Sequence, residues 1–185
     1  MSNNVYLALI HYPVTNRENE TIGSALTTID LHDIARAAMT FGATGFYVVT
    51  PYEDQQTLAR KIIEHWTDGV GGQVNPYRKA ALEKIDVTAS FDEVLERIEK
   101  EHNTGVKSIA TSAKMHRKAI STDRLKTEMK NDAAHVIAFG TAWGLADDFI
   151  EACDFILEPI QGPRTYNHLS VRSAASIYLD RMCNS

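Results

Sequence analysis

The chain has 185 residues, of which 44% are hydrophobic and 23% are charged. These proportions are typical of one globular domain with its own core, and they exclude disordered and fibrous proteins. The net charge of −5 argues against a uniformly basic surface for nucleic acid, although residues 106–130 carry seven Lys and Arg side chains.

The sequence also bears on the compartment. No apolar run approaches the ~18 residues that a membrane span needs. The first residues lack the basic segment of a secretion signal, and the two cysteines, Cys153 and Cys183, are typical of reduced intracellular thiols. We therefore expect a soluble cytoplasmic protein.

Apolar runs alternate with amphipathic segments along the chain, which predicts strands and helices in turn. The predicted strands are Val5–Ile10, Gly45–Thr50, Ile85–Ala89, Val106–Ala110, His135–Gly140 and Asp154–Pro159. Three helices are predicted in the first part of the chain: Leu31–Phe41 with Asp30 as N-cap and Gly42 as C-cap, Leu58–Trp66, and Phe91–His102 with Ser90 as N-cap. A basic helix is predicted from Ser121 or Thr122 to about Lys130. The last predicted helix opens at Tyr166–Ser170 and reaches Met182.

The segments between these elements are predicted as loops: Thr15–Thr28 is polar with little periodicity, and the glycine-rich residues 68–76 indicate a flexible turn. Alternating strands and helices predict an α/β fold, with a mostly parallel sheet and helices on both faces. We expect residues 1–185 to form a single domain.

An α/β chain first raises the possibility of a dinucleotide-binding fold. Such folds place Gly-x-Gly-x-x-Gly directly after the first strand. Here Val5–Ile10 is followed by His11-Tyr12-Pro13, and no glycine occurs until Gly23. This pattern disfavours a dinucleotide enzyme.

Three later strands end in loops of small and hydroxyl-bearing residues. The loops are Thr111–Ala113, Gly140–Leu145 and Ile160–Ser170. The carboxyl ends of parallel strands meet at one edge of a sheet, which is the usual ligand site of such folds. None of the loops offers a metal-binding group of side chains, so we expect no metal. The loops suit an adenine or ribose held by main-chain groups, although each loop alone is also explained by ordinary turn chemistry.

Two of these segments, and one upstream, resemble the motifs of the SPOUT, or α/β-knot, RNA methyltransferases. Phe139–Leu145 (FGTAWGL) is similar to the second motif, and Tyr166–Ala175 (YNHLSVRSAA) is similar to the third, normally Leu-Asn-Val-Ser-Val followed by alanines. Asp30–Ala43 (DLHDIARAAMTFGA) resembles the first motif of the ribose-methylating branch, Asn-Ile-Gly-Ala-Ile-x-Arg-Thr-Ala-x-x-Phe-Gly. Three positions depart from the motifs: Asp30 replaces Asn, Ala142 replaces the usual Glu, and His168 replaces Asn.

The resemblance implies a C-terminal trefoil knot, a bound S-adenosylmethionine and an obligate homodimer. One stripe of the last helix, formed by Val171, Ala174, Ala175, Tyr178 and Met182, is compatible with a dimer contact and equally with packing on its own sheet. The implied substrate is tRNA or rRNA, with a ribose 2′-hydroxyl favoured as the methyl acceptor.

Site residues are indicated by the three loops and by the resemblance. The cofactor-binding candidates are Thr111, Ser112, Phe139, Gly140, Thr141, Gly144, Leu145, Ile160, Gly162, Tyr166, Leu169 and Ser170. The catalytic candidates are Arg36, Asn167, His168 and Ser170. The RNA-binding candidates are Arg36, Lys114, Arg117 and Arg164.

Several of these roles have structural alternatives. Arg36 resembles the arginine that helps lower the pKa of the ribose hydroxyl, a weak nucleophile that needs a base or a polarising neighbour; an exposed helical arginine is the other interpretation. Asn167 alternatively caps the last helix, and His168 alternatively makes a structural hydrogen bond. Trp143 either stacks on a base or is buried in a dimer contact.

Alternatives also remain for the function as a whole. A base-methylating enzyme of the same fold is the second hypothesis. A protein of this fold that binds cofactor or RNA without transferring methyl is the third, and an unrelated α/β enzyme is the last.

Overall fold

A computed structural model describes residues 4–130 and 132–183. The strands in these residues are β1 (Val5–Ile10), β2 (Val14–Thr15), β3 (Thr21–Ile22), β4 (Gly45–Val49), β5 (Ile85–Thr88), β6 (Val106–Ala110), β7 (Ala134–Gly140) and β8 (Phe155–Ile156). The helices are α1 (Thr28–Thr40), α2 (Glu53–Thr67), α3 (Val70–Val74), α4 (Pro76–Leu82), α5 (Phe91–His102), α6 (Thr122–Glu128), α7 (Asp147–Ala152) and α8 (Val171–Cys183).

Six strands form one parallel sheet in the order β5-β4-β1-β7-β6-β8. The strands β2 and β3 pair separately as a short antiparallel hairpin. The chain runs outward from β1 to β5 on one side, and β7, β6 and β8 lie on the other side. The strand order therefore reverses between β1 and β7, and such a reversal opens a crevice at the carboxyl ends of the strands.

The sheet is covered on both faces, as the alternating pattern predicts. On β1, Val5, Leu7 and Leu9 belong to one core cluster, whereas Tyr6, Ala8 and Ile10 belong to the other. Helices α1, α2, α4, α6 and α8 contribute to the first cluster, and α5 and α7 contribute to the second. Successive side chains of a strand point to opposite faces, so fully buried strands need helices on both sides.

The prediction that Asp30 caps the first helix is wrong. Helix α1 begins at Thr28, and Thr27, with extended backbone angles, is its N-cap. The Thr27 hydroxyl oxygen accepts from the Asp30 main-chain N–H at 3.4 Å and donates to the Asp30 carboxylate at 2.5 Å. Asp30 is therefore inside the first turn, where its charge favours the helix N-terminus.

Residues 68–76 do not form the flexible turn that their glycines predict. They contain α3 and the start of α4. Helix α4 starts here because the Asn75 side chain accepts from the Arg78 N–H at 3.0 Å and Pro76 occupies the first turn. The Thr15–Thr28 segment also holds more structure than predicted, since it includes part of the β2–β3 hairpin.

The C-terminal elements are shorter than predicted. Strand β8 has two residues, and α8 begins at Val171, because residues 161–170 form an exposed connection. Ala175, Tyr178 and Met182 of the predicted dimer stripe are buried in the core of their own chain. These three residues are thus not available to a second copy, whereas Val171 and Ala174 are half-buried. The trefoil knot stays a prediction.

Candidate functional site

A cavity of about 650 Å³ opens at the carboxyl ends of β6 and β7, beside the reversal in strand order. Its wall brings together most of the residues that the sequence singled out. These residues are Thr111, Ser112, Lys114, Phe139, Gly140, Thr141, Gly144, Leu145, Ile160, Asn167, His168, Leu169 and Ser170. Segments distant in sequence meet here because parallel strands end at the same edge of the sheet.

Five predicted residues do not belong to this wall: Arg36, Arg117, Gly162, Arg164 and Tyr166. Gly162, Arg164 and Tyr166 lie in the exposed connection before α8, and Arg117 is exposed after β6. Arg36 is exposed on α1, six residues after Asp30. Six residues of helix correspond to about 9 Å, so Arg36 lies well along α1 from the cavity.

The loop after β6 is fixed to its neighbours by hydrogen bonds. Thr111 donates from its hydroxyl to the Ala138 carbonyl at 2.9 Å, next to Phe139 on β7. The Asn167 amide donates to the Ala113 carbonyl at 3.1 Å. Asn167 therefore joins the third loop to the first, a role that the sequence did not predict for it.

The loop after β7 makes a tight turn against the main chain. A Cβ atom at Gly140 would lie 2.5 Å from the Leu145 main-chain nitrogen. Gly144 has a φ of +113°, which favours glycine. The Thr15 N–H donates to the Gly144 carbonyl at 2.9 Å, and the Trp143 N–H donates to the Thr15 carbonyl at 3.1 Å. The hairpin strand β2 thus holds the outer side of this loop.

Ser170 has a structural role in addition to its place in the wall. Its hydroxyl oxygen accepts from the Ser173 N–H at 3.3 Å, and its carbonyl accepts from the Ala174 N–H at 3.0 Å. These bonds satisfy the first turn of α8. The cap that the sequence analysis considered for Asn167 is therefore made by Ser170.

Sequence reasoning missed an ion pair in the cavity wall. Arg172 donates from Nη1 to Asp30 Oδ1 at 2.9 Å, and its Nε lies 3.5 Å from Asp33 Oδ2. Both Asp30 and Arg172 line the cavity. The available signal was Asp30, where a charged residue replaces the Asn of the first motif.

The missed wall residues are mostly small or apolar. They are Ala113, Ala142, Asp147, Ile150, Val171, Ala174 and Tyr178, and the wall also includes Trp143, for which the sequence raised a stacking role. Tyr178 is buried against Phe139, with ring centroids 6.2 Å apart, and its hydroxyl donates to the Glu158 carbonyl at 2.7 Å. Burial raises the pKa of Tyr178 to about 12, so the phenol stays protonated at neutral pH and keeps this bond.

Positive charge lies at the mouth of the cavity. Lys114 lines it, and Arg117 and Lys118 are exposed on the same connection after β6. Two other basic residues of the 106–130 segment are already paired: Lys107 contacts Asp154 at 2.7 Å and Lys126 contacts Asp123 at 3.4 Å. A polyanion approaching the cavity would meet Lys114, Arg117 and Lys118.

The cavity suits a small organic cofactor. Its volume is within the ~300–1,000 Å³ typical of such sites, and its wall mixes apolar side chains with main-chain and hydroxyl groups. Among residues 4–130 and 132–183, no three His, Cys, Asp or Glu side chains are grouped so that they could hold a metal ion. Over the same residues, no helix has the length and apolarity to cross a membrane.

Comparison with known families bears directly on this cavity. A family model described as "SAM-dependent RNA methyltransferase" matches residues 4–184. The match includes every strand and the connection before α8, and therefore every residue of the cavity wall.

Two relatives and a solved structure extend this comparison. A tRNA (guanine-N(1)-)-methyltransferase of Oleidesulfovibrio alaskensis is 44% identical over 180 residues, which are 97% of this chain but only 42% of that relative. An uncharacterized protein of Aquifex aeolicus is 36% identical over 98% of this chain and 89% of its own length. The SpoU methyltransferase AviRb of Streptomyces viridochromogenes, solved in complex with AdoMet, is similar in fold, with a TM-score of 0.58 and 16% sequence identity. The similar region covers 99% of this chain and 58% of the AviRb chain.

Proposed function

The chain belongs to the SAM-dependent RNA methyltransferase family, and on that premise we propose that it transfers a methyl group from S-adenosylmethionine to a ribose 2′-hydroxyl of tRNA. The observation that carries the proposal is the cavity itself. It lies at the reversal of strand order and is formed by the loops that resemble the second and third SPOUT motifs, with Asp30 of the first motif in its wall. The solved SpoU neighbour with bound AdoMet supports the same cofactor.

The residues present fit this cofactor. Phe139, Leu145 and Ile160 offer apolar surface to an adenine, while Thr111, Thr141 and the main chain around Gly140 offer polar groups for a ribose. Asp147 brings a carboxylate to the same wall, which is favourable for a positively charged ligand, whereas the charge of Asp30 is balanced by Arg172. S-adenosylmethionine would supply an electrophilic methyl group on its sulfonium.

The contribution of the chain is alignment and exclusion of water. Methyl transfer is an in-line displacement, so a cavity that holds donor and acceptor in one geometry lowers the barrier. The fixed loops suit this role, since Asn167 ties one loop to the next and Ser170 secures the start of α8. On the acceptor side, Ser170 and the exposed His168 are two groups in the wall whose side chains can hydrogen-bond a hydroxyl.

To take part in the reaction, Arg36 needs bound RNA or a second copy of the chain beside it. It is exposed and lies outside the wall of the cavity in its own chain. It can therefore contact the reacting ribose only if bound RNA reaches across α1 or if a second copy presents its cavity to α1. We propose that the protein is a homodimer and that Arg36, Lys114, Arg117 and Arg164 face the RNA phosphates.

Base methylation is the second candidate, and the name of the Oleidesulfovibrio relative favours it. That name describes a protein more than twice as long as the matched segment, so guanine methylation can reside in the part that this chain does not match. The resemblance of Asp30–Ala43 to the ribose branch favours the ribose. A protein that only binds cofactor or RNA is the remaining alternative.

The experiment combines binding, transfer and product identity. We expect calorimetry to show binding of S-adenosylmethionine to the purified chain, and labelled methyl to enter tRNA and be recovered as a 2′-O-methylnucleoside after digestion. Arg36→Ala should retain cofactor binding and lose most methyl incorporation. Arg60→Ala, which removes an exposed helical arginine on α2, is the matched control and should leave both unchanged.

Each failure has its own meaning. Absence of cofactor binding in the wild type contradicts the proposed function as a whole. Recovery of a methylated guanine base instead of a ribose contradicts only the acceptor. Full turnover in Arg36→Ala removes that residue from the chemistry.

A further inference from the structure

A buried histidine that belongs to none of the motifs is linked to the cavity wall by side-chain hydrogen bonds. His11 directly follows β1 and is 1% exposed. Its Nδ1 lies 2.9 Å from Ser24 Oγ, and Ser24 Oγ lies 2.5 Å from Thr141 Oγ1. Thr141 lines the cavity and also donates to the Ile10 carbonyl at 3.0 Å. The chain of contacts therefore runs from the end of β1 into the loop after β7.

Which group donates and which accepts in this series of hydrogen bonds follows from the number of protons that each side chain carries. The Ile10 carbonyl can only accept, so the single Thr141 hydroxyl proton is committed to it. Thr141 Oγ1 must then accept from Ser24, and Ser24 Oγ must accept from His11 Nδ1–H. This order requires a proton on Nδ1, which in the neutral ring means the Nδ1–H tautomer. Its Nε2 has no hydrogen-bond partner among the described residues.

The environment of His11 is consistent with a neutral ring. Burial lowers the pKa of His11 to about 4, although the nearby Asp30 carboxylate acts in the opposite direction. At neutral pH the ring is therefore uncharged and keeps the proton arrangement derived above.

The main chain around the histidine is also held. The His11 N–H donates to the Val49 carbonyl at 2.9 Å, and the Ser24 N–H donates to the His11 carbonyl at 2.9 Å. Gly23 packs so closely on the Tyr52 ring that a Cβ atom there would collide with it. Both ends of the His11–Ser24 bond thus rest on fixed backbone, so this bond can hold the Thr141 hydroxyl in place.

We propose that His11 is a positioning residue that acts through Ser24 to orient Thr141 in the cofactor cavity. This inference rests on the proposed function and goes beyond the family resemblance, since neither His11 nor Ser24 belongs to a motif. Without the Ser24 hydroxyl proton, the Thr141 hydroxyl can turn away from Ile10. The polar group that it presents to the cofactor then loses its fixed orientation.

The test uses two amides that mimic different ring nitrogens. The Asn side-chain nitrogen occupies a position like that of His Nδ1, whereas the Gln nitrogen occupies a position like that of Nε2. We expect His11→Asn to bind S-adenosylmethionine within about threefold of wild type, and His11→Gln and Ser24→Ala to bind about tenfold more weakly, each measured by calorimetry well below its melting temperature. The double variant His11→Gln/Ser24→Ala should lose no more affinity than either single variant, because both changes break one chain.

His135→Gln is the matched control. His135 is fully buried like His11, and burial likewise lowers its pKa, but it lies near the start of β7, at the opposite end from Gly140. We expect His135→Gln to lower the melting temperature without changing cofactor affinity.

Several results would overturn the inference while leaving the proposed function intact. One is that His11→Gln and Ser24→Ala bind S-adenosylmethionine with wild-type affinity. Another is that His11→Asn loses cofactor affinity while His11→Gln does not. The third is that His135→Gln loses as much cofactor affinity as His11→Gln. Absence of binding in the wild-type protein would instead refute the proposed function.

Discussion

At the scale of single residues, Gly140 shows how tightly the loop after β7 is built. The position is half-buried at the end of β7, and a Cβ atom there would lie 2.5 Å from the Leu145 nitrogen and 2.8 Å from the Gly144 carbonyl carbon. Backbone atoms cannot move aside as the end of a flexible side chain can. Any side chain at residue 140 must therefore shift the loop that lines the cavity.

Replacement of Gly140 tests this geometry. We expect Gly140→Ala to weaken S-adenosylmethionine binding by at least about tenfold, or ~1.4 kcal/mol, in calorimetry. Gly162→Ala is the control, because a Cβ atom at Gly162 meets nothing within 4 Å and the residue lies outside the cavity wall. Equal affinity of the two variants would show that the loop after β7 does not form the cofactor site.

At the scale of secondary-structure elements, the cavity depends on how α1 meets α8. The first turns of the two helices are joined by Arg172, which contacts Asp30 on one side and Asp33 on the other. Asp30 is nearly buried and its second oxygen accepts from Thr27. Loss of the arginine would leave this carboxylate with one partner fewer in a place that water reaches poorly.

Removal of this cation should therefore cost stability. We expect Arg172→Met to lower the free energy of unfolding by about 1–3 kcal/mol in urea titration. The double variant Asp30→Asn/Arg172→Met should recover part of the loss, because a neutral amide tolerates burial better than an unpaired carboxylate. Lys79→Met breaks an exposed pair with Glu83 at 3.8 Å and should cost less than about 1 kcal/mol. Equal losses in Arg172→Met and Lys79→Met would contradict the assigned importance of the buried pair.

At the scale of the whole molecule, the segments that form the cavity wall carry exposed large apolar side chains beside the basic ones. Met115, Trp143, Tyr166 and Leu169 are all exposed large apolar side chains, and Trp143 and Leu169 also line the cavity. Grouped apolar surface of this kind is typical of a site covered by another molecule. The stripe of α8 that the sequence indicated as a dimer contact offers less surface to a partner, because Ala175, Tyr178 and Met182 are buried within the chain.

The proposed homodimer should consequently form through the exposed apolar side chains Met115, Trp143, Tyr166 and Leu169. We expect light scattering to give twice the chain mass for the wild type and a shift toward monomer for Tyr166→Asp. Tyr77→Asp, which adds the same charge to a residue 90% exposed on α4, should remain a dimer. A monomeric wild type would refute the dimer, and dissociation of both variants would place the contact elsewhere.

Much of the architecture could be predicted from the sequence because it depends on local patterns. Buried strands such as Val5–Ile10 are continuous apolar runs, and Ser90 caps α5 by accepting from the Glu93 N–H at 3.2 Å, as its position predicts. The prediction failed where a neighbouring residue offered a better cap. Thr27 took the place of Asp30, and Asn75 turned the glycine-rich segment into the start of a helix.

The sequence by itself determined the α/β class, the six strands of the main sheet and the three segments whose residues meet in the cavity wall, because periodicity and motif spacing are properties of neighbouring residues. Only the tertiary structure decided which side chains share that wall. Asp30 and Arg172 are 142 positions apart, and Ser24 and Thr141 are 117 apart, so their contacts depend on how the sheet orders its strands. Arg36 lies outside the wall, because six positions after Asp30 place it about 9 Å along α1 and roughly 120° around the helix axis.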